Sequence, residues 1–311
     1  MSLDPLGQSI AKTLHYFDIA GYPLTKEELF AYLWQPPAMG YAEFLERLDK
    51  VEGIAAKGGY YFLPGREDII LDRQRRLITS EEKMRIAVKA AKKLRAVPFL
   101  RAIFVCNSVG AELAGEDSDI DFFIVTEKKR IWITRILVTI IMEIFRLRRT
   151  GARIKNKICL SFYVTEDNLD LSPWRVADDD VHFAYWLNQM TPIFDGGGYF
   201  KKFLVANGWT RKFLPNLNSG KTYDYISKIS RPSAFGMAWK KMWERMWRGM
   251  YGNMVESQAK QAQIAKMKLS GKSVDRKDDK NVVISDGVLK FHEKDARLDY
   301  REKWRQRIIN Y

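Results

Sequence analysis

The stretch Ala102–Thr126, AIFVCNSVGAELAGEDSDIDFFIVT, decides how this chain is read, because it sets two aspartates on one strand behind a turn of small residues. Ile103–Cys106 and Ile120–Val125 are short apolar runs rich in β-branched and aromatic residues, which predicts two buried strands. Between them, Asn107 to Ser118 carries Gly110, Gly115 and several polar residues, the chemistry of a loop with a short helical turn. Side chains alternate along a strand, so Asp119 and Asp121 are expected on one face, with Ile120 and Phe122 on the other. Two adjacent carboxylates repel each other, and a hard divalent cation between them is a natural compensation.

Asn107-Ser108, ten intervening residues and then Asp119-Ile120-Asp121 resembles the signature of the DNA polymerase beta-like nucleotidyltransferase superfamily, in a bacterial-type member. That signature is Gly-Ser, a spacer of similar length, then Asp-hydrophobic-Asp. The resemblance implies an α+β chain with the nucleotidyltransferase fold, a small mixed sheet with helices. It also implies a metal-dependent enzyme that moves a nucleoside monophosphate from an NTP, ATP among the candidates, to a hydroxyl acceptor. By the same resemblance, Asp119 and Asp121 are the catalytic residues and hold Mg²⁺ or Mn²⁺, while Asn107, Ser108 and Ser118 bind the nucleotide. Asn107 stands where the superfamily has glycine; asparagine tolerates left-handed dihedrals better than most residues, so the turn can survive.

The superfamily also uses a third carboxylate on the next strand. The next strand here is expected over Lys157–Val164, KICLSFYV, which contains no acid. Ser161 sits where one is sought, and Glu166, Asp167 and Asp170 follow in expected loop. Two-metal phosphoryl transfer holds its ions about 3.5–4 Å apart, so this gap bears on turnover more than on binding. The alternative function is therefore a catalytically degenerate member that binds nucleotide or nucleic acid in a regulatory role.

A chain of 311 residues has room for two or three domains, and 46% hydrophobic with 29% charged residues describes an ordinary globular protein rather than a disordered one. The net charge of +14 and a pI near 9.6 favour polyanionic partners: nucleotides, RNA, DNA or an anionic membrane surface. The acceptor is thus open among a small molecule, a protein and an RNA end. Cys106 and Cys159 both fall in expected core strands and read as small buried hydrophobes in a reducing cytoplasm, without metal-ligand spacing. No secretory signal is read at the start, and Ile131–Phe145, interrupted by Arg135 and Glu143, is shorter than a spanning helix needs. A cytoplasmic protein without membrane partners is expected.

Three domains are expected: 1–67, winged-helix-like; 68–172, nucleotidyltransferase; and 173–311, a C-terminal helical region. Helices are expected over Ser9–Ala20, Thr25–Leu33 and Tyr41–Val51, followed by a hairpin across Ile54–Leu63 that turns at Lys57-Gly58-Gly59, an order similar to a winged helix. The third helix carries Glu43, Glu46 and Asp49 beside Arg47 and Lys50, which suits packing or protein contact better than phosphate. Asp68–Ala96 is expected as a long helix with Ile78, Met84, Ala87 and Ala91 inward and a solvated basic face that includes Arg73. Lys128–Arg149 is expected as another, with Arg146, Arg148 and Arg149 in its last turn answering the helix dipole.

Further on, helices are expected over Asp178–Met190 and Phe200–Phe213; by the resemblance these close over base and acceptor. His182 reads as a packed residue rather than a ligand. In Met237–Ala265, Trp239, Trp243, Trp247 and Tyr251 recur every fourth residue beside Met242, Met246 and Met250. Core packing is the first expectation for that face; a membrane-surface role and contact with RNA or a partner helix are the others. Ser270–Lys280 is a polar linker, the stretch around Ser285-Asp286-Gly287 a hairpin, and Lys294–Ile309 a helix. His292, Asp295 and Arg297 near the hairpin are most simply exposed.

Overall fold

The computed structural model describes residues 4–151, 153–217, 233–269, 282–291 and 296–309. The chain is a mixed α+β protein. The expected linker Ser270–Lys280, together with His292 and Asp295, lies outside the described residues.

Near the N-terminus, α1 (Pro5–Ile19) is followed by β1 (Leu24–Thr25), α2 (Lys26–Tyr32) and α3 (Tyr41–Leu48). Thr25 caps α2 through a reciprocal box: its hydroxyl accepts from the Glu28 amide at 3.2 Å, and the Glu28 carboxylate accepts from the Thr25 amide at 2.9 Å. Strands β2 (Ala55–Lys57) and β3 (Tyr60–Phe62) form the expected hairpin, and β1 pairs with β3. Its two-residue turn needs positive φ twice, which Gly58 at 60° and Gly59 at 82° supply.

The 26-residue α4 (Ile69–Leu94) leads to the central sheet. That sheet holds β4 (Leu100–Cys106), β5 (Ile120–Thr126), β6 (Ile158–Thr165) and β7 (Thr191–Asp195), joined by β8 (Val282–Ile284) and β9 (Val288–Phe291). Its order is β7-β4-β5-β6-β9-β8; only the β5–β6 pair is parallel, so the sheet is mixed. A single helical turn, α5 (Asn107–Gly110), follows β4, and α6 (Ile131–Ile144) follows β5. After β6 come α7 (Val181–Gln189), α8 (Tyr199–Ala206), α9 (Ala234–Met246), α10 (Gly249–Leu269) and α11 (Arg297–Ile309).

Alternation on β5 sorts the two sheet faces. Phe122 and Ile124 join a core with α4, α6 and α10, while Phe123 and Val125 join one with α7 and α8. Phe104, Phe123 and Phe203 are fully buried in the second core, each worth about 2 kcal/mol of transfer free energy. Asp119 and Asp121 precede this second face, at the end of the sheet where β4 stops and β5 and β6 begin.

A third core joins α1–α3 to α7 and α11: Tyr185 stacks on Tyr16 with ring centroids 4.3 Å apart, and Trp304 meets Trp34 edge-on at 5.5 Å. The last helix therefore rests on the first.

Several expectations change. Ile78 is 64% exposed rather than inward, whereas Arg73 is buried, its guanidinium 2.7 Å from Glu28, 3.1 Å from Glu112 and stacked over Tyr22. Helix α6 stops at Ile144, so Arg146, Arg148 and Arg149 lie beyond it; Arg146 takes a left-handed φ of 53°. The helix expected over Met237–Ala265 is two. Gly249 has a φ of 74°, and a side chain at Gly252 would run into the Trp247 carbonyl, so the chain breaks there. Trp239 meets Trp243 edge-on at 5.4 Å and Trp243 meets Trp247 tilted at 4.7 Å, but Met246, Met250, Tyr251 and Met254 are more than half exposed. No helix among the described residues is long and apolar enough to cross a membrane.

Candidate functional site

The carboxylate pair is shaped by the loop before it. Lys83, on α4 and only 1% exposed, donates from Nζ to the carbonyls of Glu116 (3.0 Å) and Ser118 (2.8 Å) and to Asn156 Oδ1 (2.7 Å). One ammonium thus satisfies three acceptors and fixes the segment that enters β5. Ser118 is held by this tie, with its hydroxyl donating to the Gly115 carbonyl at 2.9 Å; it faces the loop rather than the cavity described below.

Asp119 and Asp121 do share a face. The parallel register puts Cys159 of β6 opposite Asp121, and a shift between the Asp121 and Phe123 pairings leaves Ser161 out of step. The third donor beside the pair is therefore the thiol of Cys159: one ligand atom from each of Asp119, Asp121 and Cys159 lies within 4.8 Å of the others. Cys159 is half-buried beside the two carboxylates rather than fully buried as expected, whereas Cys106 is buried and turned to the Asp121 carbonyl at 3.7 Å. Glu166, Asp167 and Asp170 follow the far end of β6, roughly 20 Å along the strand. There Glu166 accepts from Tyr199 Oη at 2.6 Å, Asp167 pairs with Lys128 at 2.9 Å, and Asp170 accepts from the Ser172 amide at 2.8 Å. None of them completes the pair.

Charge at the pair is balanced unequally. Arg149 Nη1 lies 2.6 Å from Asp119 Oδ2 and 4.0 Å from Cys159 Sγ. Asp121 is buried, and burial first, the Asp119 charge second, push its carboxyl up to about 6; hydrogen bonds from Asn107 and Cys159 and the Arg149 charge act the other way. The Cys159 thiol is pushed up to about 12, mainly by burial and then by Asp121. As oxygen donors, Asp119 and Asp121 suit a hard cation that takes its other ligands from water or phosphate. The set fits one ion, since the third oxygen that a two-ion site needs is replaced by sulfur.

Asn107 and Ser108 open the turn behind the pair. Asn107 has a φ of 55°, the left-handed geometry for which asparagine substitutes for glycine, and its Oδ1 accepts from Trp186 Nε1 at 2.7 Å. Both residues line a cavity of about 580 Å³ between α1, α5, α7, β9 and α11. Rings of Trp174, Phe183, Trp186 and Tyr300 form much of its wall. The cations on it are Arg76, Lys290 and Arg297, the last also donating to the Trp174 carbonyl at 2.6 Å. His182 lines it too, its Nδ1 3.0 Å from Tyr16 Oη. A cavity of this size with flat apolar walls and a few polar groups is a setting for a planar, anionic ligand.

Lys128 and Arg130 do not reach the cavity; Arg130 is buried against α10, donating to the Trp247 carbonyl at 2.9 Å and to Asn253 Oδ1 at 2.9 Å. Arg149, Cys159 and Lys83 come to the site through contacts between distant segments, and only Cys159 carried a signal in sequence, as the ligand-capable residue of the strand that lacks an acid.

No protein-family model matches the chain, and comparison with curated proteins and with solved structures finds no match.

Proposed function

We propose that the protein binds a nucleoside triphosphate with a divalent cation and transfers the nucleoside monophosphate to a hydroxyl acceptor. On this reading the central sheet with α5 is a polymerase beta-like nucleotidyltransferase unit, and α1–α3 with the β1–β3 sheet a winged-helix-like one. The observation that carries the proposal is spatial. The Asn107-Ser108 turn lines one cavity whose walls combine aromatic rings with Arg76, Lys290 and Arg297, and although Asp119 and Asp121 are not among the lining residues, the Asn107 side chain hydrogen-bonds Asp121 and so links the carboxylate pair to that wall. Rings stack on a base, and cations with a tight turn answer phosphate charge.

In the reaction, the acceptor oxygen bonds to the α-phosphorus, the bridge to the β-phosphate breaks, and pyrophosphate leaves with the hydroxyl proton passing to solvent. The bound cation supplies neutralisation of the polyphosphate charge. Asp119 and Asp121 would hold it, Ser108 would donate to a phosphate oxygen, and Asn107 would fix the turn through Trp186 and Asp121. Arg149 would have to give up its pairing with Asp119 as the cation binds.

The test is calorimetry with each NTP in Mg²⁺ or Mn²⁺, alongside a pyrophosphate-release assay. Asp119→Ala with Asp121→Ala is expected to abolish metal-dependent NTP binding while the circular dichroism spectrum is kept; undiminished binding would overturn the proposal. A second reading, binding without turnover, is favoured by one feature: a thiol, not a carboxylate, faces the pair from β6. Metal-dependent binding with no pyrophosphate released across acceptor classes would select it.

A further inference from the structure

We propose that Asp119, Asp121 and Cys159 form a single-ion site that selects a thiophilic divalent cation, zinc or cobalt in class, over magnesium. It rests on the nucleotide reading for what the ion is for, but its ligand set stands on geometry alone. Three donors of two chemical kinds converge from two adjacent strands, each within 4.8 Å of the others. The register, not the loop, brings the sulfur in: Cys159 is the direct partner of Asp121, and the shift that follows turns Ser161 out of step.

Donor chemistry sets the choice of ion. Magnesium demands near-octahedral oxygen ligation and gains little from sulfur, whereas zinc and cobalt accept a thiolate with two carboxylates and keep one position open. That open position is where water or a phosphate oxygen would enter. Cys106 does not compete, because its Sγ is engaged with the Asp121 carbonyl at 3.7 Å on the buried side.

Two things leave when the ion arrives. The Cys159 S–H bond breaks as the sulfur–metal bond forms, and the proton goes to buffer with no electron transferred. The Arg149 guanidinium, 2.6 Å from Asp119 Oδ2, must withdraw from the carboxylate it now neutralises. At about pH 8, where both carboxylates are ionised, a site guarded by a cation and a protonated thiol is thus expected to bind with proton release, a signature that oxygen-only ligation does not give there.

The experiment uses the full chain, stripped by chelator and reduced, and titrated with Co²⁺ and Cd²⁺ under absorption spectroscopy. Calorimetry with Zn²⁺ and with Mg²⁺ in two buffers of different ionisation enthalpy reads the proton. The expected result is a thiolate-to-metal charge-transfer band and about one proton released per ion in the wild type and in Cys106→Ser. Cys159→Ser should lose both and bind Zn²⁺ at least tenfold more weakly, and Cys159→Asp should shift preference towards Mg²⁺. Should Cys159→Ser fail to fold, protection of Cys159 from alkylation by Zn²⁺ but not by Mg²⁺ in the wild type answers the same question. Cobalt binding without the band, or zinc binding with equal affinity in Cys159→Ser, would overturn the inference. NTP binding is measured on the same samples with Mg²⁺ and with Co²⁺: if it persists without thiolate ligation, only this inference falls, whereas a thiolate band with no NTP binding in either ion sinks the nucleotide reading and leaves the ion site standing.

Discussion

Arg149 holds Asp119 with its Nη1 2.6 Å from Oδ2, while Asp121, two residues on, is held by the neutral side chains of Asn107 and Cys159. Each carboxylate of the pair thus has a different kind of partner. The outer one is paired with a half-exposed cation and the inner one is held by hydrogen bonds from neutral groups, so the two respond differently to substitution.

Removing the outer partner should loosen little and free much. The Arg149 side chain is 44% exposed, so the ion pair is screened, and Arg149→Met is expected to cost less than ~1 kcal/mol of metal-free stability. Divalent cations then meet no competitor at Asp119, and their affinity is expected to rise several-fold in calorimetry. A fall would mean that Arg149 takes part in binding rather than standing in for the ion.

The inner carboxylate carries a pH signature. Burial and Asp119 push Asp121 up to about 6 from an ordinary 3.8. Between those values the unfolded chain gives up a proton that the fold retains, so this group's contribution to stability falls as pH rises through the window and stays low above it. Asp121→Asn removes that cost. The variant is expected to be more stable than wild type above about pH 7, by on the order of 2 kcal/mol, and nearly equal to it at about pH 4. Urea melts without metal across that range check it; a gain that is constant with pH would contradict the assignment.

Lys83 is expected to matter twice. Lys83→Met leaves three acceptors of the 116–118 loop and Asn156 without their donor, a loss of about 2–3 kcal/mol. Because that loop delivers Asp119 to β5, divalent affinity should fall in the same variant even at temperatures where it stays folded. Thermal melts and metal titration on one preparation separate the two effects.

Trp186 ties the cavity wall to the turn through one hydrogen bond of 2.7 Å to Asn107. Trp186→Phe keeps the ring and removes the donor, so NTP binding is expected to weaken three- to tenfold, about 1 kcal/mol, with little change in melting temperature. Trp186→Ala should lose more, through the ring. Equal effects of the two would place the ring outside the binding contacts.

Much of the fold was legible because strand and helix periodicity are local. The strands flanking Asn107–Ser118, the capping box at Thr25 and the Gly58-Gly59 turn are all written in a few adjacent residues. Strand β7 was not read, because Pro192 argues against a central strand; it lies at the sheet edge, where a missing amide is tolerated. The split between α9 and α10 was hidden by the four-residue tryptophan spacing, which continues across the break.

At the site, Asp119 and Asp121 were visible because they share a strand. Their surroundings were less so: Lys83, Arg149 and Cys159 come from other segments, only Cys159 stood out, as the ligand-capable residue of a strand without an acid, and no sequence spacing announces a parallel register or a guanidinium folding back across 30 residues. Arg73 and Lys83 were hidden among the charges of α4, where burial is decided by the acids and carbonyls they meet.

The seat of the last helix on the first has a consequence for synthesis. Arg297 and Tyr300 form part of the cavity wall together with residues of α1, whose Tyr16 ring lies 6.1 Å from that of Tyr300. A nascent chain still held by the ribosome before these residues emerge would already contain both aspartates, yet its binding chamber would stand unroofed. On the proposed function, ligand capture would wait until translation has passed α11, and clipping within that helix would open the cavity without touching the acidic pair.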